Sequence, residues 1–134
     1  MQMQGNKINA FLLIFLVVLV FPQYADAADL ERLKGMPYLE AREILISEGW
    51  IPYISGSEHL EEDDSRLFGN GRDLWEQGVQ EIDACSGTGL GHCVMYFQNS
   101  KANKLKVITI GEAFEGDVSQ IVVHGLRILK KETV

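Results

Sequence analysis

The chain has 134 residues, of which 46% are hydrophobic, with two cysteines and a formal net charge of −7. This length suits one domain with one hydrophobic core. Because phosphate binding depends on clustered Lys and Arg, the acidic balance argues against nucleic acid as a partner.

The N-terminal stretch has the layout of a secretory signal peptide. An apolar run from Ile8 to Phe21 precedes Ala25-Asp26-Ala27, a small-x-small pattern typical of a cleavage site. The run is shorter than the roughly 20 apolar residues of a membrane-spanning helix, although an uncleaved anchor is the alternative. We therefore predict a signal peptide over residues 1–27, cut after Ala27, and a single mature domain over residues 28–134.

The first predicted element of the mature chain is a helix within "GMPYLEAREILISEGW", residues 35–50. Pro37 suits the first helical turn, and Gly49 stands where a helix ends in a left-handed residue. Four residues share one face at helical spacing: Tyr38, Ala41, Ile44 and Leu45. The following "WIPYI", residues 50–54, predicts a strand that Pro52 places at a sheet edge or bends.

Residues 55–73 predict a long acidic loop, of the kind that is often functional or mobile. From residue 58 to 83 there are nine acidic and two basic residues, so this window alone sums to −7. Its charge favours a cationic protein partner, and the alternative is a solvated loop that aids solubility. The candidate partner-binding acids are Glu61, Glu62, Asp63 and Asp64. They lack the alternating spacing of a calcium loop, so no metal is expected.

The two cysteines lie in "CSGTGLGHC", residues 85–93. In an exported chain they most simply form one bridge, Cys85–Cys93. A redox dithiol and a metal site with His92 are alternatives, but Cys-x-x-Cys spacing is missing. The glycines indicate a tight turn rather than a phosphate cradle, because no P-loop lysine follows. A stapled turn would present Ser86, Thr88 and His92 to a partner.

The remaining sequence predicts a small antiparallel sheet. Trp75, Val79 and Ile82 are expected to anchor the chain before residues 93–99 and 104–112 form a hairpin. Leu105, Val107 and Thr109 share one face of the second strand. A last strand over residues 119–129 is broken at Gly125, with His124 half-buried, whereas His59 is expected to be exposed. The predicted fold class is α+β: one N-terminal helix packed on a small antiparallel β-sheet, with a single disulfide.

The helix–Gly–Trp unit, the "CSGTG…C" loop, the hairpin and the "VITIGE" strand resemble a family of small exported bacterial proteins of uncharacterised function. The resemblance covers Gly35 to Val123. Its marks are Tyr38, Ala41-Arg42, Leu45, Gly49-Trp50, Pro52, Cys85, Gly87-Thr88-Gly89, Cys93 and Thr109. It implies a fold but no activity, and the predicted signal peptide implies a periplasmic or secreted location. Relatives carry further cysteines that are absent here, so the acidic loop is left unstapled. Residues 30–54 are also similar to the start of PASTA modules, which bind cell-wall fragments.

No catalytic motif stands out, so neither an enzyme nor a cofactor is expected. There is no Gly-x-Ser-x-Gly, a bridged cysteine is no nucleophile, and the paired carboxylates lie in a solvated run. The favoured hypothesis is an exported protein-binding module, an inhibitor or immunity protein against a cell-wall hydrolase or toxin. The alternative is an envelope accessory protein that binds peptidoglycan or an outer-membrane partner through Trp50, Tyr53 and Trp75. Membrane contact is expected only through the signal peptide during export.

Overall fold

The structure of the chain, a computed structural model, describes residues 27–130, so most of the predicted signal peptide lies outside the described residues. The helices are α1 (Ala27–Leu30), α2 (Tyr38–Ser47) and α3 (Gly71–Glu76), with 3₁₀ turns at Glu31–Leu33 and Ser65–Leu67. The strands are β1 (Ile51–Pro52), β2 (Ile82–Cys85), β3 (Cys93–Gln98), β4 (Lys104–Ile110) and β5 (Val122–Leu129). In this range no helix is both long and apolar enough to cross a membrane.

All five strands form one antiparallel sheet, in which β1, β3, β4 and β5 are neighbours in that order. Strand β2 also pairs with β3, on the same edge as β1. There β1 lies opposite the C-terminal end of β3, and β2 lies opposite its N-terminal end. The predicted hairpin is confirmed, with Cys93 opposite Thr109 and Gln98 opposite Lys104. The α+β class, the antiparallel sheet and the disulfide are likewise confirmed.

Helix α2 covers one face of the sheet. Its Tyr38, Ala41 and Leu45 are buried, as the helical spacing predicts. They join one core with the inward residues of the central strands: Met95, Phe97, Leu105 and Val107. Gly49 ends the helix with φ +96°, which a residue with a side chain rarely adopts. The next residue, Trp50, is buried in the same core.

A buried polar contact fastens α2 to the segment before β2. The carboxylate of Glu81 is fully buried and accepts hydrogen bonds from Tyr38 Oη at 2.8 Å and from Arg42 Nε at 2.5 Å. Burial raises the pKa of Tyr38 well above its ordinary value, and the neighbouring Glu81 carboxylate adds to this. The hydrogen bond to Glu81 also raises the pKa of Arg42. The carboxylate therefore has both a counter-charge and hydrogen-bond donors, as a buried charge requires.

The predicted strand at residues 50–54 is too long, because β1 contains only Ile51 and Pro52. Its edge position is as predicted, opposite Gln98 and Phe97 of β3. Pro52 has no N–H to donate, which limits the ladder at an edge. One further hydrogen bond, from the Tyr53 N–H to the Tyr96 carbonyl at 2.9 Å, precedes the departure of the chain.

The prediction of an unbroken loop over residues 55–73 is wrong from residue 65 onward, where a 3₁₀ turn and α3 form. Asp64 accepts a hydrogen bond from the backbone N–H of Arg66 and also pairs with its guanidinium, which is buried. This charged anchor orders the segment without the apolar periodicity that indicates a helix. The count of one helix is wrong for the same reason.

Two smaller expectations also need correction. His124 is exposed rather than half-buried, because Ile108 pairs with Gly125 and Thr109 with Val123, which leaves His124 as the extra residue of a bulge. Val79 and Ile82 are fully buried, as predicted. Trp75 is only half-buried, and its neighbour Leu74 is the residue that enters the core instead.

Candidate functional site

The disulfide joins the facing ends of β2 and β3. Cys85 lies directly opposite Cys93, with their Cα atoms 4.1 Å apart and their sulfurs bonded. Between them the Ser86 N–H donates to the His92 carbonyl at 2.7 Å, and the Ser86 hydroxyl donates to the Thr88 carbonyl at 2.8 Å. The predicted stapled turn is therefore confirmed as a short loop whose backbone is held at its base and within its first residues.

Asn70, at the start of α3, connects this loop to the segment between β4 and β5. Its side-chain amide donates to the carbonyls of Gly91 at 3.1 Å and Gly111 at 2.6 Å. Its side-chain oxygen accepts from the Ala113 N–H at 2.8 Å. A further bond runs from the Gly111 N–H to the Leu90 carbonyl at 3.0 Å. One buried side chain thus fixes three chain segments relative to one another.

Glycines allow these segments to approach backbone to backbone. A Cβ on Gly91, whose φ is +67°, would lie 2.4 Å from the carbonyl oxygen of Gly111. A Cβ on Gly69 would lie 2.4 Å from the carbonyl oxygen of Ser86. Both distances fall within van der Waals overlap with backbone atoms that cannot rotate away. The contacts therefore require glycine at these two positions.

These segments form a polar cleft of about 230 Å³, and four of its ten lining residues are glycine. The charged side chains that line it are the carboxylates of Asp73 and Glu112. Neither forms an ion pair with another described residue. Ser86 and Thr88 add hydroxyl groups to the wall. The cleft is thus negative and rich in hydrogen-bond acceptors, which suits a cationic group.

Exposed apolar side chains accompany the cleft. Leu90 is 65% exposed and Phe114 is 72% exposed, and each is adjacent in sequence to residues of the cleft wall. Phe68, also exposed, precedes the wall residue Gly69. Single exposed apolar residues are common, but several beside one charged cleft are typical of an interaction surface.

The structure brings only part of the predicted site together. Ser86 and Thr88 line the cleft, whereas the ring of His92 lies 6.1 Å from the ring of His124, in an edge-on arrangement. Three of the predicted acids are exposed and do not line the cleft: Glu61, Glu62 and Asp63. Hydrogen bonds from Arg66 lower the pKa of Asp64 to about 2 and engage this carboxylate within the fold.

The three aromatic residues of the alternative hypothesis do not form one surface. Trp50 is buried, so its expected role in binding a sugar is wrong. Tyr53 carries Lys104 Nζ 4.0 Å from its ring centre. Trp75 lines a separate pocket of about 240 Å³ with Ile54, Glu58 and Gln80.

Sequence reasoning missed the residues that build and line the cleft: Asn70, Asp73, Leu90, Glu112 and Phe114. Two of them carried a local signal. Asn70 stands between glycines in "GNG", and Leu90 is a large apolar residue flanked by glycines in a loop. The carboxylates had no such signal, because Asp73 and Glu112 are far apart in sequence and meet only in the fold.

Within residues 27–130, no group of three or more His, Cys, Asp or Glu side chains is placed to hold a metal ion. Comparison of the chain with models of protein families, with curated proteins and with solved structures gives no match.

Proposed function

We propose that the mature chain is an exported, non-catalytic binding module that receives a Lys or Arg side chain of a protein partner in the cleft beside the disulfide loop. The observation that carries the proposal is the pair of carboxylates, Asp73 and Glu112, which line this cleft without an ion pair among the described residues. A cation bound in the cleft would balance the charge of these two carboxylates, of which Asp73 is half-buried and Glu112 is exposed.

The stiffness of the cleft supports a role in binding. The disulfide and the three hydrogen bonds of Asn70 hold the walls before a partner arrives. A preformed surface loses less conformational entropy on association, so more of the contact energy appears as affinity. Leu90 and Phe114, both exposed, supply apolar area beside the charged centre. This combination fits an inhibitor or immunity protein that caps a basic feature of a cell-wall hydrolase or toxin.

The acidic segment at residues 58–64 has a separate part in the proposal. Its exposed carboxylates lie outside the cleft, so they act at a distance and accelerate encounter with a cationic partner. Such steering weakens as salt screens the charges, with a Debye length of about 8 Å at physiological ionic strength. The two acidic regions should therefore differ kinetically, since the cleft governs dissociation and the segment governs association.

The test begins with capture of a partner from envelope extract by oxidised residues 28–134, followed by kinetics with the purified partner. We expect a 1:1 complex whose dissociation rate rises at least tenfold for Glu112→Lys, the scale of a lost interfacial ion pair. Glu43→Lys makes the same charge change on the exposed side of α2 and is the control. Equal effects of the two variants would show that net charge, not the cleft, drives binding.

The steering role is tested with Glu61→Lys combined with Glu62→Lys. These exposed residues have no hydrogen-bond or ion-pair role among the described side chains. We expect a lower association rate, a weaker salt dependence and an unchanged dissociation rate. Asp64 is unsuitable for this test because its carboxylate holds Arg66. An unchanged association rate would contradict the steering role.

The pocket of Trp75 supports a second candidate, an envelope accessory protein that binds peptidoglycan. A half-buried indole beside Glu58 and Gln80 combines a flat apolar face with polar groups, as sugar recognition requires. This reading predicts co-sedimentation with purified peptidoglycan that is lost in Gln80→Ala, a change at an exposed position. Absence of the protein from the pellet would leave the cleft as the functional site.

A further inference from the structure

We propose that the face of the sheet opposite α2, here called the open face, docks the protein on an anionic phospholipid surface. This inference is independent of the cleft. The open face is defined by outward side chains of three neighbouring strands: Tyr96, Lys104, Lys106, Ile108, Arg127 and Leu129.

Strand alternation and register place these side chains together. Leu105 and Val107 point into the core, so Lys104, Lys106 and Ile108 point to the other side of β4. Lys106 pairs with Tyr96 on one side and with Arg127 on the other. Lys104 pairs with Leu129. None of the residues that define the open face belongs to the hydrophobic core or to the side chains packed against it.

The cations of the open face have no anionic side-chain partner among the described residues, and Lys104 contacts the ring of Tyr53. Lys106 and Arg127 lie directly opposite each other on neighbouring strands, an arrangement that destabilises a sheet. The sequences of β3, β4 and β5 contain no Asp or Glu. No ion pair among residues 27–130 involves Lys104, Lys106 or Arg127. An anionic partner would relieve the repulsion, which is the charge complementarity that selects the occupant.

The apolar part of the face favours lipid over a soluble acidic protein. Tyr96, Ile108 and Leu129 line a depression of about 290 Å³ between the cations. Gly125 is also in its lining, and even a Cβ built on this glycine would meet no atom within 4 Å. Apolar and aromatic groups interleaved with Lys and Arg suit the membrane interface, where headgroups meet the cations and the apolar groups enter the acyl boundary.

The test is flotation of the purified, disulfide-bonded protein with vesicles of phosphatidylglycerol and phosphatidylcholine, at low and high salt. We expect the bound fraction to rise with the share of phosphatidylglycerol and to fall with salt. Lys106→Glu should weaken binding by about tenfold or more, given the contribution of each basic residue near an anionic surface. Arg72→Glu makes the same change in net charge at an exposed position of α3 and should leave binding within about twofold, since charges beyond a Debye length are screened.

Three results would overturn the proposal. The first is binding no stronger to phosphatidylglycerol than to pure phosphatidylcholine. The second is an equal loss in Lys106→Glu and Arg72→Glu, which would assign the effect to net charge. The third is Lys106-dependent binding of inorganic phosphate or poly-glutamate with no vesicle binding, which would make the occupant a free anion or an acidic protein. Lys106→Gln, which removes the charge without reversing it, should give a smaller loss. A melting temperature no lower than that of the unmodified protein would verify that each variant is folded, and the two Lys106 variants should melt higher because their repulsion with Arg127 is removed.

Discussion

Glu81 illustrates how one buried carboxylate can fix a helix. It is fully buried and has two side-chain partners on α2, Tyr38 and Arg42. If Arg42 were removed, the carboxylate would keep its burial but lose its counter-charge. Such a loss is far more costly than removal of both members of a pair, because the remaining charge cannot be solvated.

We therefore predict that Arg42→Ala lowers the free energy of unfolding by about 3 kcal/mol. The control is Lys34→Ala, which breaks an exposed pair with Glu31 and should cost less than about 1 kcal/mol. Urea unfolding of both variants checks the ranking. If the two variants lost equal unfolding free energy, the burial of Glu81 would not be what makes its pair with Arg42 important for stability.

The pairing of Asp64 with Arg66 gives a pH-dependent contribution to stability. The pKa of Asp64 falls from its ordinary 3.8 to about 2 in the folded protein, because Arg66 donates hydrogen bonds to its ionised form. A group with a lowered folded pKa stabilises the fold above its unfolded pKa, and this contribution is lost as pH falls toward the folded value.

Asp64→Asn should consequently make the unfolding free energy less dependent on pH between 3.8 and about 2. Asp63→Asn, a change at the exposed neighbouring position, should leave the slope close to that of the unmodified chain. Denaturant unfolding at several pH values within this window measures both slopes. A slope unaltered by Asp64→Asn would show that the ion pair does not survive in solution.

Among the elements, the position of α3 requires its first residue, Gly71, to pack directly against the backbone of the preceding 3₁₀ turn. A Cβ on Gly71 would lie 1.9 Å from the carbonyl oxygen of Arg66 and 3.2 Å from Cys85 Sγ. Gly71→Ala should therefore destabilise the protein by at least about 2 kcal/mol through overpacking. Gly125→Ala in β5, where the added methyl group meets open space, should be neutral or stabilising by up to about 1 kcal/mol. Melting temperatures of the two variants in parallel test this contrast.

The elements that the sequence predicted well are those with local signals. The helical spacing of Tyr38, Ala41 and Leu45 predicted α2, and alternating apolar residues predicted the β3–β4 hairpin. Helix α3 could not be recognised in this way. Its six residues include a glycine, and the turn before it is held by the ion pair of the buried Arg66 with Asp64. An ion pair of this kind leaves no apolar spacing in the sequence.

The same distinction explains what could be foreseen of the cleft. The bridge between Cys85 and Cys93 followed from the predicted export and the cysteine count, and two residues predicted as partner contacts within its loop, Ser86 and Thr88, line the cleft. Asp73 and Glu112 line the same cleft because the hydrogen bonds of Asn70 join α3 to the β4–β5 connection. That junction depends on tertiary hydrogen bonds for which a single sequence has no periodic signal. The open face was missed likewise, since Lys106 and Arg127 become neighbours only through strand pairing.

At the scale of the whole molecule, the predicted cleavage point can be compared with the start of the core. Leu30 and Leu33 are buried, so a cut after Ala27 would leave the core complete. We predict that the exported protein has the mass of residues 28–134 less the two hydrogens lost on forming one disulfide. Intact-mass spectrometry of the secreted or periplasmic fraction measures this. A full-length species retained in the membrane fraction would instead identify the apolar N-terminal run as an anchor.

The residues that hold the cleft in shape differ from those that would contact a ligand, and the three hydrogen bonds of Asn70 show this. Asn70 and the close-packed glycines hold the shape of the cleft, whereas the side chains of Asp73, Thr88 and Glu112 line it without a hydrogen bond or ion pair to the rest of the described chain. Lining residues without a structural duty can be exchanged at little cost to folding. These three positions can therefore be randomised in a library while Asn70 is retained. Such a library would yield variants that bind ligands of different charge on an unchanged fold.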